Sequence, residues 1–154
     1  MWIKESLHLH LYYSKRRNMK KLLSIKYTPV VFNIAFLLMR IIFGITLIVN
    51  YGYPKLVNFQ TKKETFVDFL GLGSTTSLIL VIFAEVFCSA FVVLGLFTRI
   101  ASFILVFSLG YAFFMSHGGN IFGDGETSGL FMTVMFIILL CGPGKFSVDG
   151  MIQK

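Results

Sequence analysis

Residues 30–51 read VVFNIAFLLMRIIFGITLIVNY, an apolar run that contains one charged residue, Arg40, near its middle. A helix that crosses a membrane needs roughly 20 predominantly apolar residues. Three further apolar runs follow, at about 76–97, 100–116 and 128–141. Continuous apolarity favours helices over barrel strands, because barrel strands alternate apolar and polar residues. The sequence therefore predicts an all-α, polytopic membrane protein with four antiparallel transmembrane helices.

The composition supports a membrane class. The chain has 154 residues, of which 56% are hydrophobic and 14% charged. A soluble domain has about a quarter charged residues. The net charge of +7 comes largely from a basic cluster before the first run. That cluster lies beside a predicted span, so it indicates a flank that contacts anionic lipid, and we expect no nucleic-acid partner.

Lys and Arg in the short loops predict the orientation, since they are enriched on the cytoplasmic side. With the N-terminus inside, ten of these cations lie inside and three outside. Both termini are therefore predicted to be cytoplasmic. Residues 1–27 are interpreted as a basic tail, and 28–150 as the membrane domain. Met19 begins the string MKKLL, which reads as a natural start, so residues 1–18 are interpreted as a short tail or a misassigned start.

Arg40 and Glu85 are the charged residues within the first two runs. Measured from the ends of their runs, each is predicted to lie about 13–15 Å deep, near the middle of the bilayer. A lone charge at that depth costs several kcal/mol, so we expect the two to pair. Two interpretations stay open: a structural clamp, or a ligand or proton site. The same polar seam is predicted to include Tyr51, Ser89 and Tyr111, with Gly44 and Gly95 allowing close helix packing.

The order of three strings resembles the DoxX family of small four-helix bacterial membrane proteins. The strings are RIIFGITLIVNYGYPKL at 40–56, AEVFCSAFVVLGLFTRIAS at 84–102 and GPGKFSVDG at 142–150. The family's first-helix motif is matched by Arg40, Gly52 and Lys55, and its second-helix motif by Glu85, Gly95, Thr98 and Arg99. Its C-terminal motif is matched by Gly142, Pro143, Gly144, Lys145, Phe146, Ser147 and Asp149.

The resemblance implies a multi-pass protein of the bacterial inner (plasma) membrane. The family name derives from subunits of a thiosulfate:quinone oxidoreductase, so the resemblance implies a membrane subunit or partner of a redox system, quinone-linked or tied to oxidative stress. The resemblance then allows a quinone as the ligand, bound at the Arg40–Glu85 seam, with no covalently bound cofactor and no catalysis by the chain alone. Two alternatives stay open: a small transporter formed by a homo-oligomer, and a membrane scaffold without a ligand.

The residue types of the C-terminal motif also predict its local structure. Gly142-Pro143-Gly144 is predicted to end the fourth helix, because glycine and proline interrupt helices. Lys145 is then expected to meet lipid headgroups, and Asp149 to pair with Arg99. Lys145 and Phe146 stand where the family more often has Arg and Tyr. The loop string GDGE at 123–126 lacks the spacing of a calcium site, so no metal is expected.

Overall fold

The computed structural model describes residues 28–69 and 71–152. Its contacts divide the chain into residues 1–32 and 33–154, and only residues 28–32 of the first unit are described. The predicted basic tail at 1–27 lies outside the described residues. Within the described ranges every regular element is helical and none is a strand, which confirms the all-α prediction.

Six helices follow one another along the described chain: α1 Pro29–Val57, α2 Phe59–Lys62, α3 Ser74–Leu94, α4 Thr98–Ser116, α5 Glu126–Cys141 and α6 Val148–Ile152. By length and composition, α1, α3 and α4 are suited to cross a membrane. Helix α5 is apolar but shorter, at 16 residues. Three spans are thus supported directly, and the fourth remains a prediction.

The surface of the long helices is apolar, as expected of helices that face lipid. Phe87, Phe103 and Phe107 are each more than half exposed. The buried positions include small polar residues, among them Ser77, Ser89 and Ser102. Apolar patches of this extent on a monomer indicate a lipid or protein contact. The chain is an integral membrane protein whose apolar core also includes buried polar side chains.

The turn between α3 and α4 is held by Asp149 of α6. Gly95 and Phe97 both have a left-handed backbone, with φ +73° and +46°. The Asp149 carboxylate accepts hydrogen bonds from the backbone N–H groups of Phe97 and Thr98, each 2.9 Å long. It also accepts one from the Thr98 hydroxyl at 2.8 Å. Phe97 has no side-chain oxygen, so Asp149 supplies the cap for the first turn of α4.

The predicted pairing of Asp149 with Arg99 is therefore wrong. Both Asp149 oxygens are directed to the start of α4, where N–H groups lack helical partners. The Arg99 guanidinium instead lies beside Gly142, with Nε and Nη2 3.6 Å from the position a Gly142 Cβ would take. The backbone N–H groups at the start of α4 satisfy the Asp149 carboxylate, so Asp149 caps that helix and does not form an ion pair with Arg99.

Candidate ligand site at Lys55 and Glu85

Helices α1 and α3 run antiparallel and touch through two glycines of α1. At Gly52 an added Cβ would stand 3.2 Å from the Glu85 Cβ and 2.6 Å from a Val86 methyl group. At Gly44 it would stand 3.3 Å from the Ser89 carbonyl oxygen. Glycine lets the two backbones approach this closely. This contact sets the register, which places Glu85 opposite Gly52.

Glu85 forms an ion pair with Lys55. The Lys55 Nζ lies 2.6 Å from both carboxylate oxygens of Glu85. The Glu85 side chain is 8% exposed and the Lys55 side chain 19%. Among the residues that the structure describes, this is the single ion pair between side chains. A charge-assisted bond at this depth is worth more than a surface pair, because little water screens it.

Arg40 does not reach Glu85, so the predicted Arg40–Glu85 pair is wrong. The Arg40 side chain is 1% exposed, and its Nη2 donates to the backbone oxygen of Phe146. A Cβ at position 95 would overlap the Arg40 guanidinium, so glycine is required there. Gly95 lies ten residues beyond Glu85, which corresponds to roughly 15 Å along a helix. Arg40 thus contacts the C-terminal motif and does not contact Glu85.

Helix register and side-chain direction together explain the separation. Glu85 lies opposite Gly52, which is twelve residues beyond Arg40 on α1, or roughly 18 Å along a helix. Side chains in a helix also lean toward its N-terminus, so on antiparallel helices the two leans are opposite. Lys55 lies one turn beyond Gly52 and leans back toward Glu85. Register therefore separates the predicted pair, and the direction of the side chains brings together the observed one.

A cavity of about 250 Å³ adjoins the ion pair. We call it the Lys55–Glu85 pocket; its lining residues are Leu47, Tyr51, Lys55, Glu85, Leu109, Ala112, His117, Asp124, Thr127, Ser128 and Phe131. The Tyr51 and Phe131 rings meet edge to face at 5.6 Å between centroids. The Lys55 Nζ lies 5.9 Å from the Tyr51 ring centre. One side of the pocket is thus aromatic and the other is charged.

A second cavity of about 200 Å³ shares Lys55, Ala112 and His117 with the first. Tyr111 lines this second cavity, and its hydroxyl donates to the backbone oxygen of Asp68 at 2.9 Å. Of the predicted seam, Tyr51 therefore lies at the ion pair and Tyr111 in the neighbouring cavity. Ser89 lines neither cavity, and its buried hydroxyl has no hydrogen-bond partner among the described residues.

Three π-helical segments meet at the Lys55–Glu85 pocket. They are Leu47–Gly52 in α1, Phe83–Cys88 in α3 and Ala112–Ser116 in α4. Each contributes to the lining, through Tyr51, Glu85 and Ala112 respectively. The π-helix is rare and is found frequently at functional sites. Hydrophobic periodicity does not reveal single π turns, so the pattern of residues does not predict this convergence.

Sequence reasoning missed the pairing of Lys55 with Glu85. The sequence places Lys55 on the outer side and on the same helical face as Tyr51, but it assigns Arg40 to Glu85. His117 and Asp124 of the pocket come from loop residues after α4. Loop side chains reach a site through tertiary packing, and no spacing rule in the sequence links them to Glu85.

The pocket presents an ammonium group, two carboxylates, an imidazole and aromatic rings. Within the described part of the chain, no three His, Cys, Asp or Glu residues are grouped as metal ligands would be. Lys55 can donate a hydrogen bond to a carbonyl or anionic oxygen, and Glu85 can accept or release a proton. The arrangement suits a small organic ligand with polar oxygens and an apolar ring.

The DoxX family model matches residues 35–118, which is more than half of the chain. The chain belongs to the DoxX family. The matched range contains Lys55, Glu85 and His117, whereas the C-terminal motif at 142–149 lies beyond it. No curated protein and no solved structure gives a significant match. The resemblance drawn from the three strings is thereby confirmed at the level of the family.

Proposed function

We propose that this DoxX protein is the membrane subunit of a quinone-linked redox system, and that its ligand site is the Lys55–Glu85 pocket. The observation that carries the proposal is a paired ammonium and carboxylate beside an aromatic wall, at the meeting point of three π-helical segments. The proposal keeps the redox role inferred from the family and replaces Arg40 with Lys55 as the partner of Glu85. Its setting is the bacterial inner membrane.

A quinone headgroup fits the residues of the pocket. The headgroup has an apolar ring with carbonyl oxygens, and it carries electron pairs between redox proteins when bound. Tyr51 and Phe131 provide aromatic edges for the ring, and Lys55 provides a donor for a carbonyl oxygen. The apolar tail of the ligand would remain in the lipid around the exposed side chains of the helices.

The chain's own residues would bind and position the headgroup and move protons. Glu85 is held next to Lys55, so it can exchange a proton while the ammonium group balances its charge. His117 lines both cavities and connects the pocket with the loop after α4. Electrons would come from a separate redox protein docked on the membrane, in keeping with the redox role inferred from the family.

The test is retention of quinone by the purified protein, measured by solvent extraction and mass spectrometry. We expect wild-type protein to retain quinone, and the double variant Lys55→Met/Glu85→Gln to lose at least about tenfold, equivalent to one charge-assisted hydrogen bond of about 1.4 kcal/mol. Lys145→Met is the matched control, since its exposed side chain lies outside both cavities. Undiminished retention in the double variant would refute the site.

The same variants distinguish a ligand site from a structural clamp. Lys55→Met alone leaves a buried carboxylate without its partner, and breaking a buried pair costs about 3–5 kcal/mol. The double variant removes both charges, so we expect its thermal stability in detergent to return most of the way to wild type. A clamp predicts no quinone in any form of the protein. Solute flux in proteoliposomes that depends on Glu85 would instead favour the transporter alternative.

A further inference from the structure

A larger cleft lies at the opposite end of the packed helices from the Lys55–Glu85 pocket. It has a volume of about 980 Å³ and is formed by the start of α4, the end of α5 and the segment that leads into α6. Two cations line it, Arg99 and Lys145, and both are exposed. Helix α4 begins at the cleft and helix α5 ends there, so the cleft lies at the level where the lipid headgroups of a membrane would be.

The charge of the cleft is unbalanced in favour of the cations. Asp149 is the one carboxylate among the described residues that line it. Its oxygens are already engaged by the N–H groups of Phe97 and Thr98. Arg99 lies across Gly142, which leaves its guanidinium beside the glycine turn rather than on Asp149. Among the described residues neither cation forms an ion pair, so two positively charged donors face the cleft.

An apolar stripe leads away from the cleft along α4. It begins at Phe97 and Ile100, which line the cleft, and continues through Phe103 and Phe107. All four side chains are more than half exposed, and they recur at helical spacing on one face. A ligand that places an anionic group between Arg99 and Lys145 could thus lay hydrocarbon along this stripe.

We propose that the cleft between Arg99 and Lys145 is a specific binding site for the headgroup of an anionic phospholipid, with an acyl chain along the Phe97–Phe107 stripe. The phosphate diester would accept parallel N–H bonds from the Arg99 guanidinium, a geometry that arginine favours. Lys145 would supply a second charge across the cleft. This inference is independent of the quinone proposal, because the two sites share no residue.

The experiment is native mass spectrometry of the full chain in detergent with matched lipids, dioleoyl phosphatidylglycerol and dioleoyl phosphatidylcholine. We expect the wild-type protein to retain phosphatidylglycerol over phosphatidylcholine. Each cation near an anionic lipid surface contributes an amount equivalent to about fivefold in affinity. The variant Arg99→Gln/Lys145→Gln should thus lose about 25-fold of that preference. Lys62→Gln/Lys63→Gln, at the opposite end, is the matched control and should keep it.

Several results would overturn the site. Equal retention of the two lipids by wild-type protein would show that the protein does not select between them. Unchanged selectivity in the double variant would show that the selectivity does not come from the cleft. Displacement of phosphatidylglycerol by excess inorganic phosphate would show that the cleft binds the free anion instead. The single variant Lys145→Gln, expected to lose about fivefold, keeps the test decisive if the double variant is poorly folded.

Discussion

At the scale of single residues, Gly95 shows how two requirements meet at one position. Its backbone is left-handed with φ +73°, which ends α3. The same glycine leaves room for the Arg40 guanidinium and for Ser147, whose Cβ would stand 2.5 Å from an alanine Cβ. The family motif places glycine here for both conformation and space. Arg40, Gly95 and Ser147 therefore act as one unit that seats the C-terminal segment.

We expect Gly95→Ala to lower the free energy of unfolding by about 2–5 kcal/mol. Left-handed backbone costs a non-glycine residue about 1–2 kcal/mol, and overpacking adds about 1–3 kcal/mol. Thermal unfolding in detergent measures the change. Gly118→Ala is the control for backbone strain alone, because Gly118 has φ +60° and nothing within 4 Å of an added Cβ. Equal losses in the two variants would contradict the packing contribution.

Arg40 and Glu85 show how much of the site could be predicted from the sequence. Arg40 and Glu85 were identified as buried charges because they interrupt apolar runs, and the structure buries both. Their partners could not be derived, because pairing depends on helix register and side-chain direction. Register is set by the contact of Gly44 and Gly52 with α3, which no one-dimensional spacing encodes.

At the scale of elements, the short helix α6 stabilises the start of α4 through Asp149. Burial opposes ionisation of Asp149, but hydrogen bonds from Thr98 and Phe97, with the charge of Arg40, outweigh it and lower the pKa of the carboxyl. A group whose pKa is lowered by folding stabilises the folded state above its ordinary pKa. That contribution disappears as the pH falls through the lowered value.

We therefore expect Asp149→Asn to destabilise the protein at neutral pH by about 1 kcal/mol, the usual value of a helix cap. The difference from wild type should stay constant down to about pH 5 and shrink below about pH 4, where an aspartate is normally protonated. Thermal unfolding across this range provides the measurement. Glu64→Gln, at an exposed acidic residue, should show no such convergence. A difference that persists unchanged to pH 2 would contradict the cap.

The sequence predicted the ends of the helices more closely than the contacts between their side chains. Helix α1 continues to Val57, beyond the expected end at residue 51, and α3 ends at Leu94 rather than at residue 97. Lys55 lies within this extension, beyond the end that the apolar run predicted. Lys55 pairs with Glu85, so each charge neutralises the other. The tertiary contact thus permits the longer helix.

At the scale of the whole molecule, we expect α5 to form a fourth span. Its 16 residues correspond to about 24 Å, less than a typical hydrocarbon core of about 30 Å. It nevertheless runs antiparallel to α4, with Gly129 beside Phe113 at one end and Gly142 beside Arg99 at the other. Its buried residues Phe131, Met135 and Ile138 join the core formed with α4.

We expect four spans with both termini in the cytoplasm, and single-cysteine labelling of intact cells tests this. In a background without Cys88 and Cys141, Phe122→Cys should react with a membrane-impermeant maleimide, whereas Lys145→Cys should react only after lysis. Phe122 is almost fully exposed, so labelling there should be efficient. Lys62→Cys is the control for the outer side. Labelling of positions 122 and 145 from the same side would show that α5 does not cross.

The sequence by itself determined that the protein is helical and lies in a membrane, because long apolar runs can satisfy their backbone hydrogen bonds in lipid only as helices. It also determined the family and the buried charges. The tertiary structure alone decided which charges meet: close contact of α1 with α3 sets the register, which places Arg40 at the C-terminal motif, and the direction of the side chains joins Lys55 to Glu85. The proposed function depends on those distances between helices, which the order of residues does not contain.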